Sequence, residues 1–198
     1  MKSNILGLVL IVFVIIVCIK MFYESDYYNL SCIVSTVDGK KYCVRVKSDL
    51  KHQETVDLLA KVTNRCIRLV KFMGKKFPER ENVKRLVKNF NPTKVKETLP
   101  TSEFTAYSEN KGEKLAFCTT TTKKGNTLID ENTLTFVAIH ELSHIMSKSI
   151  GHTDEFWQNF KFALKCAKEC GEYQPEDYKK KPKKYCGMKI TDNPYYDL

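Results

Sequence analysis

Residues 135–157 read TFVAIHELSHIMSKSIGHTDEFW and hold three of the four histidines in a chain of 198 residues. His140 and His144 are four residues apart, and Glu141 follows the first of them. On an α-helix, positions i and i+4 lie on one face, so both imidazoles can reach one metal ion at about 2.0–2.1 Å. Apolar neighbours such as Phe136 and Ile145 predict a buried helix over 134–148 that carries this polar pair.

The HExxH spacing predicts a zinc site with one ion. Burying two imidazoles and a carboxylate without a metal would cost several kcal/mol in unsatisfied polar groups. Glu141 lies one residue further round the helix than His140, where its carboxylate can reach a water molecule at the metal without replacing it. We therefore expect His140 and His144 as ligands and Glu141 as the catalytic general base.

The third ligand has to come from outside this helical turn. His152 follows Gly151, which permits the chain to reverse toward the metal, and we expect His152 to complete the site. Glu155 and Glu169, on the next predicted helix, are the alternatives. The remaining histidine, His52, is interpreted as a surface residue. Phe156 and Trp157 are expected to pack His152 against the core.

Three protein ligands leave a fourth position open, which is typical of a catalytic zinc site. The predicted function is a zinc metalloendopeptidase that hydrolyses peptide bonds in protein substrates. The strand predicted over 115–119 is expected to align an extended substrate along a free edge. Tyr107 and Tyr173 are candidates, by residue type alone, for stabilising the oxyanion. The alternative is a catalytically inactive, zinc-stabilised, membrane-anchored binding or structural protein.

The N-terminus contains a long apolar stretch. Residues 5–23, ILGLVLIVFVIIVCIKMFY, carry one charge, Lys20, and would span about 28 Å as a helix, close to the hydrocarbon thickness of a bilayer. No small-residue cleavage pattern follows, which favours an uncleaved signal anchor over a removed signal peptide. We expect a single-pass membrane protein, in contact with lipid through residues 5–23. Charges flanking the stretch weakly favour a cytoplasmic N-terminus.

The remaining pattern predicts an α+β fold: a zincin-like domain with a small antiparallel or mixed sheet packed on the active-site helix. We divide the chain into an anchor (1–24), a hairpin and helix leading into the domain (25–78), a metallopeptidase core (79–172) and a lysine-rich, solvated tail (173–198). The predicted local elements are a hairpin within 30–46 that turns at Asp38-Gly39, helices over 53–73, 78–89 and 153–170, and a turn at 110–112 between two strands.

Composition adds two constraints. The formal net charge is +10, which favours anionic partners. The sequence shows no basic helix with interleaved aromatic residues, the pattern that would indicate nucleic-acid binding. We therefore rank nucleic acid below a protein or peptide substrate. Eight cysteines are many for this length. A Cys32–Cys43 link does not fit the simplest hairpin register, and Cys186 has the pair Cys166 and Cys170 as potential partners, so the redox compartment stays open.

The stretch AYSENKGEKLAFCTTTT…LTFVAIHELSH…GHTDEFW resembles the WLM group of zinc metallopeptidases, related to the SprT-like proteins and the minigluzincins. The resemblance covers roughly residues 83–160. It implies His140, His144 and His152 as zinc ligands and Glu141 as the catalyst. The chain departs from that group in its longer link before His152, which lacks a proline, and in its apolar N-terminus. The family's role in DNA–protein crosslink repair is therefore not transferred, and a large DNA virus is the expected source.

Overall fold

The computed structural model describes residues 2–46 and 51–197. These residues form an α+β fold with one mixed sheet and an apolar N-terminal helix. The helices and strands, in chain order, are α1 (Lys2–Tyr23), α2 (Asp26–Asn29), β1 (Leu30–Val34), β2 (Lys41–Arg45), α3 (His52–Lys76), α4 (Glu81–Asn89), β3 (Val95–Glu97), β4 (Ala106–Glu109), β5 (Lys114–Phe117), α5 (Glu131–Met146), α6 (Asp154–Glu169), β6 (Lys183–Tyr185), β7 (Met188–Ile190) and a 3-10 turn (Pro194–Tyr196).

Helix α1 stands apart from the core, with its apolar side chains exposed along 4–23. Over Asn4–Tyr23 it is long and apolar enough to cross a membrane, and a signal sequence would have the same length and composition. Its end is tied to the domain through α2: Ser25 caps α2 by accepting a hydrogen bond from the Tyr28 N–H, and Asp26 forms an ion pair with Lys96 of β3. The apolar helix therefore leads directly into the sheet.

The sheet has the strand order β1-β2-β3-β5-β4. The pairs β1–β2 and β5–β4 are antiparallel, whereas β2–β3 and β3–β5 are parallel. Side chains alternate across a strand, so Val44, Leu115 and Phe117 share the face that carries the buried core. Helices α3 and α5 pack on that face, with α4 and α6 beside them.

Helix α5 is the central helix. Twelve of its sixteen residues are buried, including apolar residues on every side, so it is enclosed by α3, α4 and α6 as well as by the sheet. Asp130 caps its start by accepting a hydrogen bond from the Thr133 N–H, and Thr153 caps α6 in the same way through Phe156. The predicted helix over 134–148 is thus confirmed, shifted by two to three residues toward the N-terminus.

Three local predictions were wrong in detail. The connection between β1 and β2 spans Ser35 to Lys40, longer than a two-residue turn, and this length brings Cys32 opposite Cys43. Helix α3 continues past Gly74, and α4 begins at Glu81 rather than at Pro78. The turn at 110–112 is confirmed, since all three residues there have positive φ.

The strand expected to offer a free edge, residues 115–119, was assigned wrongly. Strand β5 lies between β3 and β4, so its backbone is paired on both sides. The strand at this end of the sheet is β4, whose pairing with β5 joins Ala106 to Phe117. An extended chain added at this end of the sheet would therefore have to pair with β4.

The lysine-rich tail is folded, which contradicts the expectation of a solvated, extended segment. Strands β6 and β7 form a hairpin, and Tyr178 and Tyr185 are buried beside the core. The tail is held by a disulfide between Cys118 and Cys186, and by backbone bonds from 186 and 187 to 120 and 121. Cys186 therefore does not join Cys166 or Cys170. A second disulfide links Cys32 to Cys43.

Candidate metal centre

Three imidazoles meet at the end of α5, as the sequence predicted. The Nε2 atom of His140 lies 3.2 Å from Nε2 of His144 and 3.1 Å from Nε2 of His152. One ligand atom from each ring lies within 4.8 Å of the other two. Two of the rings are half-buried and His152 is exposed, so the cluster opens to solvent on the side of His152.

The nitrogen separations fit a shared divalent cation. Two ligands at about 2.05 Å from zinc in a tetrahedral arrangement are about 3.3 Å apart, close to both Nε2 distances from His140. Hydrogen bonding alone explains the arrangement poorly, because an uncharged ring nitrogen offers either one N–H or one lone pair. A cation would use all three lone pairs at once.

Burial favours the uncharged form of the two helical histidines. Burial lowers the pKa of His140 to about 3, and the neighbouring His144 and His152 lower it further in the same direction. The pKa of His144 falls to about 4, again mainly through burial. Neutral imidazole is the form that binds a metal, so the local environment keeps these two lone pairs available near neutral pH.

A single aromatic ring supports all three imidazoles. The ring of Phe156, which is fully buried at the start of α6, has its centroid 4.3, 4.8 and 4.7 Å from those of His144, His140 and His152. Trp157 lies beside His152 at 5.7 Å. Both aromatic rings contact His152 as predicted, but only Phe156 belongs to the core, since Trp157 is 45% exposed.

The loop that brings His152 back, residues 147–153, is braced from two sides. Lys111, in the β4–β5 turn, donates from Nζ to the carbonyl oxygens of Ser147 at 3.0 Å and Ser149 at 2.7 Å. Glu155 accepts hydrogen bonds from the backbone N–H groups of Lys148 at 3.0 Å and Ser149 at 3.1 Å. These backbone bonds lower the pKa of Glu155 to about 2. Neither brace was anticipated, because both depend on the loop's path.

The alternative ligands have other partners. Glu155 accepts the loop bonds and pairs with Arg85 at 3.3 Å. Glu169, at the end of α6, pairs with Lys76. His52 begins α3 and is outside the cluster. Among the described residues, the group that can hold a metal is therefore His140, His144 and His152.

Glu141 is almost fully buried beside His140, with an exposed fraction of 5%. Burial raises the pKa of its carboxyl group to about 8. Within the described parts of the chain, no hydrogen bond to this carboxylate offsets its desolvation. A buried carboxylate whose oxygens accept no hydrogen bond from the protein is suited to exchanging protons with a water molecule.

The C-terminal hairpin places Tyr185 near Glu141, which the sequence did not indicate. Tyr185 is buried and donates a hydrogen bond from its hydroxyl to the carbonyl of Thr105 at 3.0 Å. Its pKa is raised, first by burial and then by the negative charge of Glu141 nearby. The nearest signal in the sequence was an aromatic residue next to Cys186, within a lysine-rich stretch.

Neither tyrosine considered for the oxyanion is adjacent to the imidazoles. Tyr107 pairs with Ala116 in register, on the sheet face that also carries Lys96, opposite the face that packs on α5. Tyr173 is buried, and its hydroxyl accepts a hydrogen bond from Asn193 at 2.9 Å. Both positions are therefore explained by packing.

Comparisons with known proteins give two viral relatives. The chain is 26% identical over 176 residues to the uncharacterized protein R325 of Acanthamoeba polyphaga mimivirus, which covers 87% of this chain and 83% of that protein. It is 43% identical over 61 residues to the uncharacterized protein 042R of Invertebrate iridescent virus 3, which covers 30% of this chain and 36% of that protein. No family profile and no solved structure matches the chain. The relatives are consistent with a viral protein.

Proposed function

We propose that this protein is a zinc-dependent metallopeptidase with an N-terminal membrane anchor, hydrolysing peptide bonds in protein substrates. The observation that carries the proposal is the convergence of the ring nitrogens of His140, His144 and His152, with the buried Glu141 next to His140 in the chain. The α+β fold, with its central HExxH helix under a mixed sheet, is compatible with a zincin-like domain of the WLM or SprT-like kind.

In the proposed reaction, His140, His144 and His152 hold the zinc ion. Zinc in such a site polarises a substrate carbonyl and makes a water molecule more acidic. Glu141 accepts the proton of the attacking water and delivers it to the leaving amine. Burial raises the proton affinity of Glu141, which favours the first transfer, and a bound zinc ion would keep the resting carboxylate ionised near neutral pH.

In the described residues no hydrogen bond to the Glu141 carboxylate is found, and this favours an enzyme over the inactive alternative. A zinc site that served only to stabilise the fold would gain nothing from a buried carboxylate, which costs free energy unless it is paired. The exposure of His152 adds to this, since a structural zinc site is closed by four protein ligands.

We also propose that the domain lies on the non-cytosolic side of a membrane, with residues 5–23 as the span. Two disulfides in the described parts of the chain support this orientation, because disulfides persist in oxidising compartments. Charges at the N-terminus favour the same orientation.

The proposal is tested with the full chain reconstituted in lipid nanodiscs. We expect one zinc ion per chain by elemental analysis, and cleavage of an unfolded protein substrate. Glu141→Gln should retain zinc and lose turnover by several orders of magnitude. His152→Ala should lose zinc, whereas the matched control His52→Ala should retain it. Equal turnover in wild type and Glu141→Gln would reject the mechanism, and a chain without zinc would reject the site.

A further inference from the structure

A concave surface lies between α3 and α4, and none of the three candidate ligands lines it. It encloses about 650 Å³, within the range of surfaces that accommodate a ligand or a short segment of a partner. The two helices approach closely at one end, where a Cβ atom on Gly74 would lie 3.0 Å from the side chain of Val87. The floor is apolar and is formed mainly by Ile67, Val70, Val87 and Phe90.

Lysines line both sides of this groove. Lys71 and Lys75 are one turn apart on α3, and Lys84 and Lys88 are one turn apart on α4. Lys84 pairs with Glu79 and Glu81. In the parts of the chain that the structure describes, the other three lysines have no acidic partner. An apolar floor between two positive margins is complementary to an apolar surface flanked by carboxylates.

The floor exposes apolar surface that the fold does not cover. Val87 retains half of its accessible surface, although it lies on the helix face that contacts α3. The α4 wall is nine residues long, or about 13 Å, which matches roughly two turns of a docked helix. Helix-in-groove binding uses this combination of an apolar floor and charged margins.

The position of the groove disfavours the lipid around α1. The chain passes from α1 through α2 into Leu30, which pairs with Arg45 at the end of β2. Strand β3 runs parallel to β2, so Val95 and the preceding Phe90 lie toward the opposite end of the sheet. The groove therefore lies toward the end of the sheet opposite the end at which α1 and α2 join it. A second copy of this chain is also disfavoured, because each copy carries a net charge of +10.

We propose that this groove binds an acidic amphipathic helix of a protein partner, with the partner's apolar face on the floor and its carboxylates against the lysines of α3 and α4. The inference does not depend on catalysis, since it concerns a different surface from the metal centre. It assigns the groove to recognition of a substrate or regulatory protein by its charge and apolar pattern.

The test uses the full chain in nanodiscs of zwitterionic lipid and a fluorescein-labelled amphipathic peptide with leucines on one face and glutamates on both flanks. Fluorescence polarisation should show saturable binding that weakens with salt. The same peptide with lysines in place of the glutamates should not bind. Lys71→Glu with Lys88→Glu, or Val87→Asp alone, should weaken binding at least about tenfold. Lys165→Glu with Lys184→Glu, exposed lysines elsewhere, should leave it unchanged.

Three results would overturn the proposal. The first is unchanged peptide binding by folded groove variants, with folding checked by circular dichroism. The second is groove-dependent binding of phosphatidylglycerol vesicles without peptide binding, which would assign the surface to lipid. The third is self-association of the wild type that Val87→Asp abolishes, which would assign the groove to a second copy.

Discussion

The ring of Phe156 stacks on the imidazole of His144, with centroids 4.3 Å apart and ring planes inclined by 28°. The same phenylalanine contacts His140 and His152 edge-on. One side chain at the start of α6 thus fixes the relative orientation of two ligands on α5 and a third in the intervening loop. The geometry of the proposed site depends on the packing of two helices as much as on the HExxH spacing.

Phe156→Leu should therefore weaken zinc binding in addition to destabilising the fold. The shorter side chain leaves a cavity beneath the three rings, which should cost about 1–3 kcal/mol in stability and let the imidazoles tilt. We expect zinc affinity, measured by competition with a chromophoric chelator, to fall about tenfold or more. Phe117→Leu, on the core-facing side of β5, is the control: it should lower stability similarly without lowering zinc affinity.

Glu155→Gln should loosen the loop that carries His152. The amide replaces a charged acceptor of two backbone N–H groups with a single neutral oxygen, so the charge-assisted bonds to Lys148 and Ser149 weaken. Residues that orient metal ligands typically change metal affinity by about 10–100-fold, and we expect a loss in that range. Glu169→Gln, whose carboxylate pairs with Lys76, should leave zinc affinity unchanged.

Zinc binding by these variants also shows whether Glu155 supports the loop or is itself a zinc ligand. Complete loss of zinc in Glu155→Gln together with retained zinc in His152→Ala would assign the third ligand to Glu155. Zinc loss in Glu169→Gln would do the same for Glu169.

The parts of the fold that could be read from the sequence are those set by local periodicity. Helices α3 and α6 carry regular apolar stripes, and α5 is a long apolar segment. The three ligands are close in sequence, so spacing on a helix and Gly151 were sufficient to group them. The turn at 110–112 was equally local. Boundaries were less accurate: Gly74 lies inside α3, where the lack of a side chain permits a close approach of Val87 on α4, and such a tertiary contact has no local signal.

The parts that could not be predicted depend on contacts between distant residues. The tail was expected to be solvated because of its lysines, yet in β6 the lysines lie at the surface while Tyr185 is buried next to Glu141. The position of β5 inside the sheet required knowing that β3 pairs with it in parallel. Lys111 braces the loop from a turn more than thirty residues away, and no local pattern signals such a contact.

The Cys118–Cys186 disulfide should be the more stabilising of the two. It closes a sequence separation of 68 residues, against 11 for Cys32–Cys43. Chain-entropy arguments give about 4 kcal/mol for the long loop and about 3 kcal/mol for the short one. Urea denaturation of the double serine variants of each pair should show this order. Alkylation of the native, unreduced protein should leave all four of these cysteines unmodified. Labelling of Cys118 in the native protein would contradict the pairing.

In the metal-free protein, the buried carboxyl group of Glu141 should make stability depend on pH in a predictable direction. Its pKa is raised from 4.5 to about 8 in the folded state, so the folded protein binds this proton more tightly than the unfolded chain. The resulting stabilisation is fully present below pH 4.5 and is lost as the pH rises through about 8.

Glu141→Gln removes that ionisation while keeping the shape of the side chain. With zinc removed by a chelator, wild type should lose stability relative to Glu141→Gln as the pH rises from 5 toward 9, by up to a few kcal/mol. Urea denaturation at several pH values measures the difference. Zinc should reduce it, because the positive ion favours the ionised carboxylate. A difference that is constant with pH in the metal-free proteins would show that the Glu141 carboxylate is solvated, contrary to the buried position from which its role as general base was inferred.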